Sequence, residues 1–253
     1  MRQYFLLYFS LLLSFSPLYG QREIAYPKLK QGEIIVRHVG HTLSYNPQAM
    51  IPYWVAYQLK ATDMEGEAER ARLFSPDPSE KLEKFPLAEH WHYTHSGWCR
   101  GHMAPAGDMK YSQEAMNDSF YTTNICPMDM SFNNGIWKRL EEKIRKLAIE
   151  FGSVYIITGP IIGKNVNGKV GESNIIVPDA FYKAILVPYK DSYLSIAFIM
   201  RNEAAPKGSK LRDYTLTVDE LELLVGRDFF ATLDTATAKK IESTLPLKEL
   251  GLY

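Results

Sequence analysis

The sequence has little that would mark it as a membrane, repeat or strongly charged protein. It carries 29 Lys and Arg residues against 29 Asp and Glu residues, so its formal net charge is zero. A neutral chain is not held to nucleic acid by global positive charge, although a local basic groove stays compatible with it. No repeat period and no long low-complexity segment occurs, which excludes solenoid architectures. One globular domain over residues 21–253 is therefore expected.

A single long apolar run stands at the N-terminus. Arg2 precedes an apolar stretch over residues 4–15, and Gly20 closes the segment with a small side chain. This order is typical of a secretory signal peptide over residues 1–20. The alternative is an uncleaved membrane anchor, but the run is shorter than the ~20 residues that a spanning helix needs. We expect a periplasmic or secreted protein with no stable membrane association after signal cleavage.

Hydrophobic periodicity divides the remaining chain into short strands and two main helices. Residues 133–151 place apolar side chains at helical spacing, which predicts a long amphipathic helix. A second helix is expected over residues 218–233, with Leu221, Leu224 and Phe230 in the core. Apolar and alternating runs predict strands over residues 33–39, 42–45, 53–59, 98–102, 120–125, 153–158, 175–189 and 193–200.

Residues 98–145 contain the side chains needed to cut a phosphodiester. His102 is neutral near pH 7 and can accept a proton from water. Arg100 stands two positions earlier, and a guanidinium binds phosphate in a bidentate manner. A lone histidine is more often structural, so His102 and Arg100 by themselves are weak evidence for a catalytic site.

Three polar residues come later, at the spacing of the predicted helix. Asn133 stands at its start, where it can cap the helix or offer an amide oxygen to a hard cation such as magnesium. Glu141 and Arg145 come eight and twelve residues later, close to whole helical turns. All three can therefore lie along one helix face. Glu141 and Arg145 could equally form a surface ion pair.

Three motifs in this order resemble those of the non-specific DNA/RNA endonuclease family, the ββα-metal nucleases. The family pattern is Asp-Arg-Gly-His, then Ser/Thr-Asn-Ile/Val-x-Pro, then Asn-x-Gly-x-Trp-x-x-Leu-Glu. The matching segments here are residues 99–102 (CRGH), 123–127 (TNICP) and 133–141 (NNGIWKRLE). The similarity extends through residues 54–57, 72–78, 157–160 and 177–183. It therefore covers most of the chain after residue 20.

The resemblance implies both a fold and a set of roles. The expected fold is α+β, with a ββα-metal finger packed on a central, mostly antiparallel sheet with flanking helices. His102 would be the general base and Asn133 the direct protein ligand of Mg²⁺, for which Mn²⁺ can substitute. Glu141 would hold metal-bound water. The side chains expected to contact phosphate or to support the site are Arg72, Arg100, Arg145 and Asn124.

The same resemblance implies the reaction and its partners. The expected substrates are DNA and RNA, hydrolysed to 5′-phosphate and 3′-hydroxyl ends with one Mg²⁺. Sequence preference should be weak, because the named side chains reach phosphate and metal rather than base edges. The resemblance also allows a homodimer.

Cys99 stands where the family pattern has aspartate, and Cys126 lies in the second motif. Two cysteines are usually paired in an oxidising compartment, so we expect a Cys99–Cys126 disulfide. Directly opposed residues of antiparallel strands have Cα atoms ~4.5–5.5 Å apart, which suits a disulfide. The bond would hold Arg100 and His102 against Asn124 in place of the lost carboxylate.

Two alternatives stay open. Cys99, Cys126 and His102 could form a structural zinc site with a nearby histidine such as His95. His102 would then be a ligand and not a base, although the spacings match no common zinc pattern. The loss of the family aspartate could also leave a nucleic-acid-binding protein with weakened catalysis. A metal assay and a Mg²⁺-dependent nuclease assay separate these alternatives from the enzyme.

Overall fold

The computed structural model describes residues 26–163 and 167–253, and the expected signal peptide lies outside them. The strands are β1 (Ile34–Arg37), β2 (Thr42–Asn46), β3 (Ile51–Lys60), β4 (Cys99–His102), β5 (Ile125–Met128), β6 (Ser153–Ile161), β7 (Ala180–Tyr189), β8 (Ser192–Arg201) and β9 (Thr215–Leu216). The α-helices are α1 (Gln113–Asp118), α2 (Met130–Phe132), α3 (Lys138–Phe151), α4 (Val218–Val225) and α5 (Thr235–Glu242).

A seven-stranded sheet with the order β1-β2-β3-β6-β7-β8-β9 forms the centre of the protein, and all of its neighbouring strands are antiparallel. Strands β4 and β5 form a separate two-stranded sheet. Together with the helical segment that follows β5, this pair makes the ββα finger. The expected α+β fold is confirmed.

The central sheet separates two apolar layers. Alternate residues of a strand point to opposite faces, so Val55 and Ile156 join the core under α3 and the finger. Their neighbours Ala56 and Ile157 join a second core with α4 and α5. The finger and the C-terminal helices therefore occupy opposite faces of one sheet.

A kink divides the helix predicted over residues 133–151, so that the long regular helix α3 begins only at Lys138. The Asp129 carboxylate accepts a hydrogen bond from the Phe132 backbone N–H at 2.8 Å and caps the short helix α2. Asn133 follows α2 and is the N-terminal cap of neither helix, so the capping role considered for it is wrong. A segment over Asn133–Trp137, with non-helical backbone angles at Gly135, joins α2 to α3.

Several predicted boundaries are wrong for identifiable reasons. Residues 122–124 form a 3₁₀ turn, so the strand expected over 120–125 starts only at β5. Strand β6 continues through Pro160, because beyond Thr158 it pairs with β7 alone, and proline is tolerated at such an edge. Gly226, with φ of 64°, ends α4. Leu224, expected in the core, is consequently 64 % exposed.

The expected Cys99–Cys126 disulfide is wrong, since both thiols are free. Cys126 pairs with Gly101, whereas Cys99 pairs with Met128. The two cysteines are therefore diagonal neighbours, which stand ~7–8 Å apart in an antiparallel pair and cannot bridge without backbone movement. Gly101 fits this register because a Cβ there would come within 2.2 Å of the Met128 sulfur.

Reductant is expected to leave the melting temperature unchanged. A bridge closing a loop of this size would contribute roughly 3–4 kcal/mol, equivalent to about 10 °C in a protein of this length. Thermal unfolding of the purified protein with and without dithiothreitol measures the difference. A fall near 10 °C in reductant would show that the strands change register to form the bond.

Candidate active site

Arg100 and His102 project from the same side of β4, where both approach Phe74. The His102 ring centroid lies 5.3 Å from that of Phe74 and 4.9 Å from that of Phe120, the latter edge-on. Its Nε2 atom is buried without a hydrogen-bond partner. Burial and the positive charge of Arg70 lower the pKa of His102 to about 3. The imidazole is therefore neutral at physiological pH.

The Arg100 guanidinium is held against the loop that precedes β4. Its Nη2 atom donates a hydrogen bond to the His90 carbonyl oxygen at 2.7 Å. The guanidinium carbon lies 5.5 Å from the Tyr93 ring centroid and 5.8 Å from that of Phe74. Its Nε atom is buried without a partner, so this cation is positioned but retains unused hydrogen-bonding capacity.

A second arginine near His102 is Arg70, which the motif match left aside in favour of Arg72. The Arg70 guanidinium carbon lies 5.0 Å from the Phe120 ring centroid, and Phe120 packs on His102. Arg72 is also exposed. The two arginines are separated by one residue, and the resemblance indicated only Arg72 as a phosphate ligand.

Asn124 acts on the position of the loop after His102 rather than on substrate. Its side-chain oxygen accepts a hydrogen bond from the Ala104 N–H at 2.9 Å. Its amide nitrogen donates to the carbonyl oxygens of Ala104 and Ser119 at 2.9 and 2.8 Å. The side chain is fully buried and engaged at both its oxygen and its nitrogen, as a residue that supports the site would be.

Asn133 meets β4 through Cys99. Burial raises the pKa of the Cys99 thiol, and the nearby side chain of Asn133 opposes that shift. Asn133 therefore lies beside the cysteine that stands at the family's aspartate position.

Arg145 joins α3 to the loop after β4. Its Nε atom donates to Asp108 Oδ1 at 2.6 Å, and its Nη2 atom lies 3.7 Å from Glu141 Oε2. Tyr57 donates its hydroxyl to the other Asp108 oxygen at 3.0 Å. The ion pair considered for Glu141 and Arg145 is present, but it lies in a network that holds the helix in place.

Lys183 is a buried cation beside the same network. Its Nζ atom donates to the Met103 carbonyl oxygen at 3.1 Å and lies 4.4 Å from the Trp137 ring centroid. Burial lowers the pKa of Lys183, while burial raises that of Glu141 and the lysine charge opposes this rise. A lysine inside the apolar run of β7 was the sequence signal for this residue, and the motif match gave it no role.

These contacts join α3 to the loop after β4 through Arg145 and Asp108, while Asn133 lies beside Cys99 of β4. The amide oxygen of Asn133 and the desolvated carboxylate of Glu141 are hard donors of the kind that Mg²⁺ prefers. The zinc alternative is wrong, because Cys99 and His102 are three residues apart on β4 and point to opposite faces. Within residues 26–163 and 167–253, no Cys/His group is gathered for a metal.

Comparisons with known proteins agree with this arrangement. The model of the DNA/RNA non-specific endonuclease family matches residues 21–236. Mouse mitochondrial nuclease EXOG is 37 % identical over 212 residues, covering 78 % of this chain and 57 % of EXOG. Nuclease C1 of Cunninghamella echinulata var. echinulata is 35 % identical over 211 residues, covering 78 % and 82 %. The chain spans 57–64 % of the length of the EXOG relatives it matches.

A solved structure extends the similarity to three dimensions. The chain superimposes on a chain of the EndoG/EndoGI complex, a structure of EndoG inhibition, with a TM-score of 0.76 and 25 % identity. The match covers 88 % of this chain and 96 % of the other.

The expected periplasmic or secreted location is wrong. The EXOG relatives and a similar yeast nuclease are mitochondrial proteins. Among the described residues, no helix combines the length and apolarity needed to cross a membrane.

Proposed function

The chain belongs to the DNA/RNA non-specific endonuclease family, and from that premise we propose that it hydrolyses internal phosphodiester bonds of DNA and RNA. We further propose a single nuclease domain over residues 21–253 and products with 5′-phosphate and 3′-hydroxyl ends. The observation that carries the proposal is the joint placement of a neutral His102, unpaired at Nε2, with Arg100 on one strand face.

His102 is the proposed general base. In the free protein the imidazole is neutral and able to accept a proton at any pH well above 3. An approaching phosphate brings negative charge, which favours the protonated ring and so strengthens the base when substrate is bound. Phe74 and Phe120 fix the ring plane, and the clamp by Asn124 fixes the backbone that follows.

The cationic side chains are the proposed phosphate ligands. Arg100 and Arg70 lie on either side of the aromatic pair beside His102, where they can neutralise charge that develops on the phosphate. Arg72 stays a candidate from the motif match. Arg145 contributes through Asp108 and Glu141, which keep α3 in register with the loop after β4.

Mg²⁺, or Mn²⁺ in its place, is the proposed cofactor, held by Asn133 directly and by Glu141 through water. Burial makes the Glu141 carboxylate hard to ionise, and a divalent cation nearby would relieve that cost. When bound, the cation supplies charge stabilisation at the phosphate and the leaving oxygen. Cys99, at the family's aspartate position, lies beside Asn133.

Excess EDTA is expected to abolish hydrolysis of both plasmid DNA and single-stranded RNA, because the proposed mechanism uses a divalent cation to stabilise the leaving oxygen. Adding Mg²⁺ or Mn²⁺ beyond the chelator should restore both activities. Gel assays over time on the two substrates measure the effect. Full activity in EDTA would contradict the metal dependence. Failure to hydrolyse RNA in the presence of Mg²⁺, with DNA still cleaved, would restrict the substrate to DNA.

A further inference from the structure

Three carboxylates meet on the face of the sheet opposite to β4. Asp219 and Glu222 lie one turn apart on α4, and Glu242 is the last residue of α5. One oxygen from each side chain lies within 4.8 Å of the other two. Three like charges this close repel one another unless a proton or a cation neutralises them.

Glu242 is the innermost member, and it is aimed into the cluster. The residue is 6 % exposed, and its Oε1 atom is buried without a hydrogen-bond partner. Burial and the charges of Glu222, Asp219 and Asp228 raise its pKa to about 8. A buried carboxylate oxygen without a partner costs free energy, so a ligand at this atom would stabilise the fold.

No protein cation fills that role among the described residues, since none of their ion pairs includes these three carboxylates. Asp219 and Glu222 line an open cavity of about 650 Å³ together with Lys30 and Arg227. The Lys30 ammonium donates to the Gly226 carbonyl oxygen, and the Arg227 guanidinium pairs with Glu33. Lys28 also lines the cavity, and its backbone carbonyl accepts from Arg227.

We propose that Asp219, Glu222 and Glu242 form a calcium site that fastens α4 to α5. The donors are all carboxylate oxygens, which suit Ca²⁺ better than Zn²⁺, for which nitrogen and sulfur donors are usual. Ca²⁺ usually takes ~6–8 oxygen ligands, and the open cavity beside Asp219 and Glu222 leaves room for water to supply the remainder.

The site would serve stability rather than hydrolysis. Val218 and Leu221 of α4 and Ile241 of α5 share one core on the far side of the sheet from the finger. The Ile241 carbonyl oxygen also accepts a hydrogen bond from Ser195 on β8. A cation held between the ends of these helices would restrain the whole C-terminal layer. This inference is independent of the proposed nuclease function.

The test compares Glu242→Gln with Glu249→Gln, an exposed carboxylate outside the cluster. Both changes are made in an Asn133→Ala background, so that Ca²⁺ cannot act through the proposed catalytic metal site. Calcium at about 100 times its dissociation constant should raise the melting temperature by roughly 5–10 °C in the Asn133→Ala parent and in the Glu249→Gln variant. Glu242→Gln should show no rise, and equilibrium dialysis should count one bound Ca²⁺ fewer.

A parent protein with no calcium response, and with Glu242→Gln at least as stable at pH 7, would show that a proton neutralises the cluster and would overturn the proposal. Equal responses in Glu242→Gln and the parent would overturn it too, since the ion would then bind elsewhere. If Glu242→Gln does not fold, Asp219→Asn, at a half-buried position of the cluster, takes its place with the same expected outcome.

Discussion

Replacing His102 with alanine is expected to lower the turnover number for DNA hydrolysis by about 10²–10⁴-fold, the usual effect of removing a general base. The Michaelis constant should change little, because Arg70 and Arg100 remain on the two aromatic rings beside the site. Steady-state kinetics on duplex DNA give both quantities. Fluorescence anisotropy with labelled DNA in EDTA checks that binding survives.

The matched control is His95→Asn. His95 is an exposed histidine in the loop before β4, with φ of 58°, a conformation that asparagine tolerates. This variant should retain wild-type turnover. Near wild-type turnover in His102→Ala would remove His102 from the role of base. Equal losses in both variants would indicate damage to the loop instead.

Acid is expected to destabilise the fold through His41. This residue is 3 % exposed, and neither ring nitrogen has a hydrogen-bond partner. Burial and then the neighbouring His38, whose ring centroid is 4.9 Å away, lower the pKa of His41 to about 3. Between pH 6.5 and pH 3 the unfolded chain therefore binds one more proton than the folded protein. The stability contributed by neutral His41 is fully present above pH 6.5 and is lost as the pH falls toward 3.

The size of the effect at pH 4.5 is set by the two pKa values. Each pH unit below 6.5 lowers the free energy of unfolding by about 1.4 kcal/mol, which amounts to roughly 2–3 kcal/mol at pH 4.5. His41→Phe removes the titrating group. The decrease in the free energy of unfolding between pH 7.5 and pH 4.5 should therefore be smaller by that amount than in the wild type. Urea unfolding at the two pH values measures it, with His95→Asn as control.

The choice of pH 4.5 separates His41 from Asp77. Burial favours a higher pKa for Asp77, but hydrogen bonds from His38, Ser79 and Thr123 outweigh it and lower the pKa to about 2. The stability that Asp77 contributes is lost only as pH falls from about 4 to about 2. An unchanged pH dependence in His41→Phe would mean that the wild-type ring is protonated in the folded state.

Local periodicity was enough to predict most strands and the amphipathic helix, because both depend on which side chains face the core. The three motifs identified His102, Arg100, Asn133 and Glu141 as candidate site residues, which stays a prediction. The register in which neighbouring strands pair could not be predicted from periodicity or from the motifs. The register that sets Cys126 opposite Gly101 depends on how Met128 packs, which no spacing along the chain reveals.

The partners of buried polar residues could not be predicted from the sequence either. Asn124 and Lys183 have their partners in distant segments, at Ala104 and Met103, so their tasks are invisible until the chain folds. Leu224 was misplaced for a similar reason. Its apolar side chain fits the helical period, but Gly226 ends α4 before the predicted face is complete, and Leu224 points to solvent.

The kink at Gly135 separates Asn133 from Glu141 and Arg145, which lie beyond it on α3. Each helical residue turns the chain by about 100°. Deletion of one residue at the kink is therefore expected to rotate Asn133 relative to α3, while Arg145 keeps its ion pairs with Asp108 and Glu141. Such a deletion would alter the position of Asn133 without detaching α3 from the loop after β4.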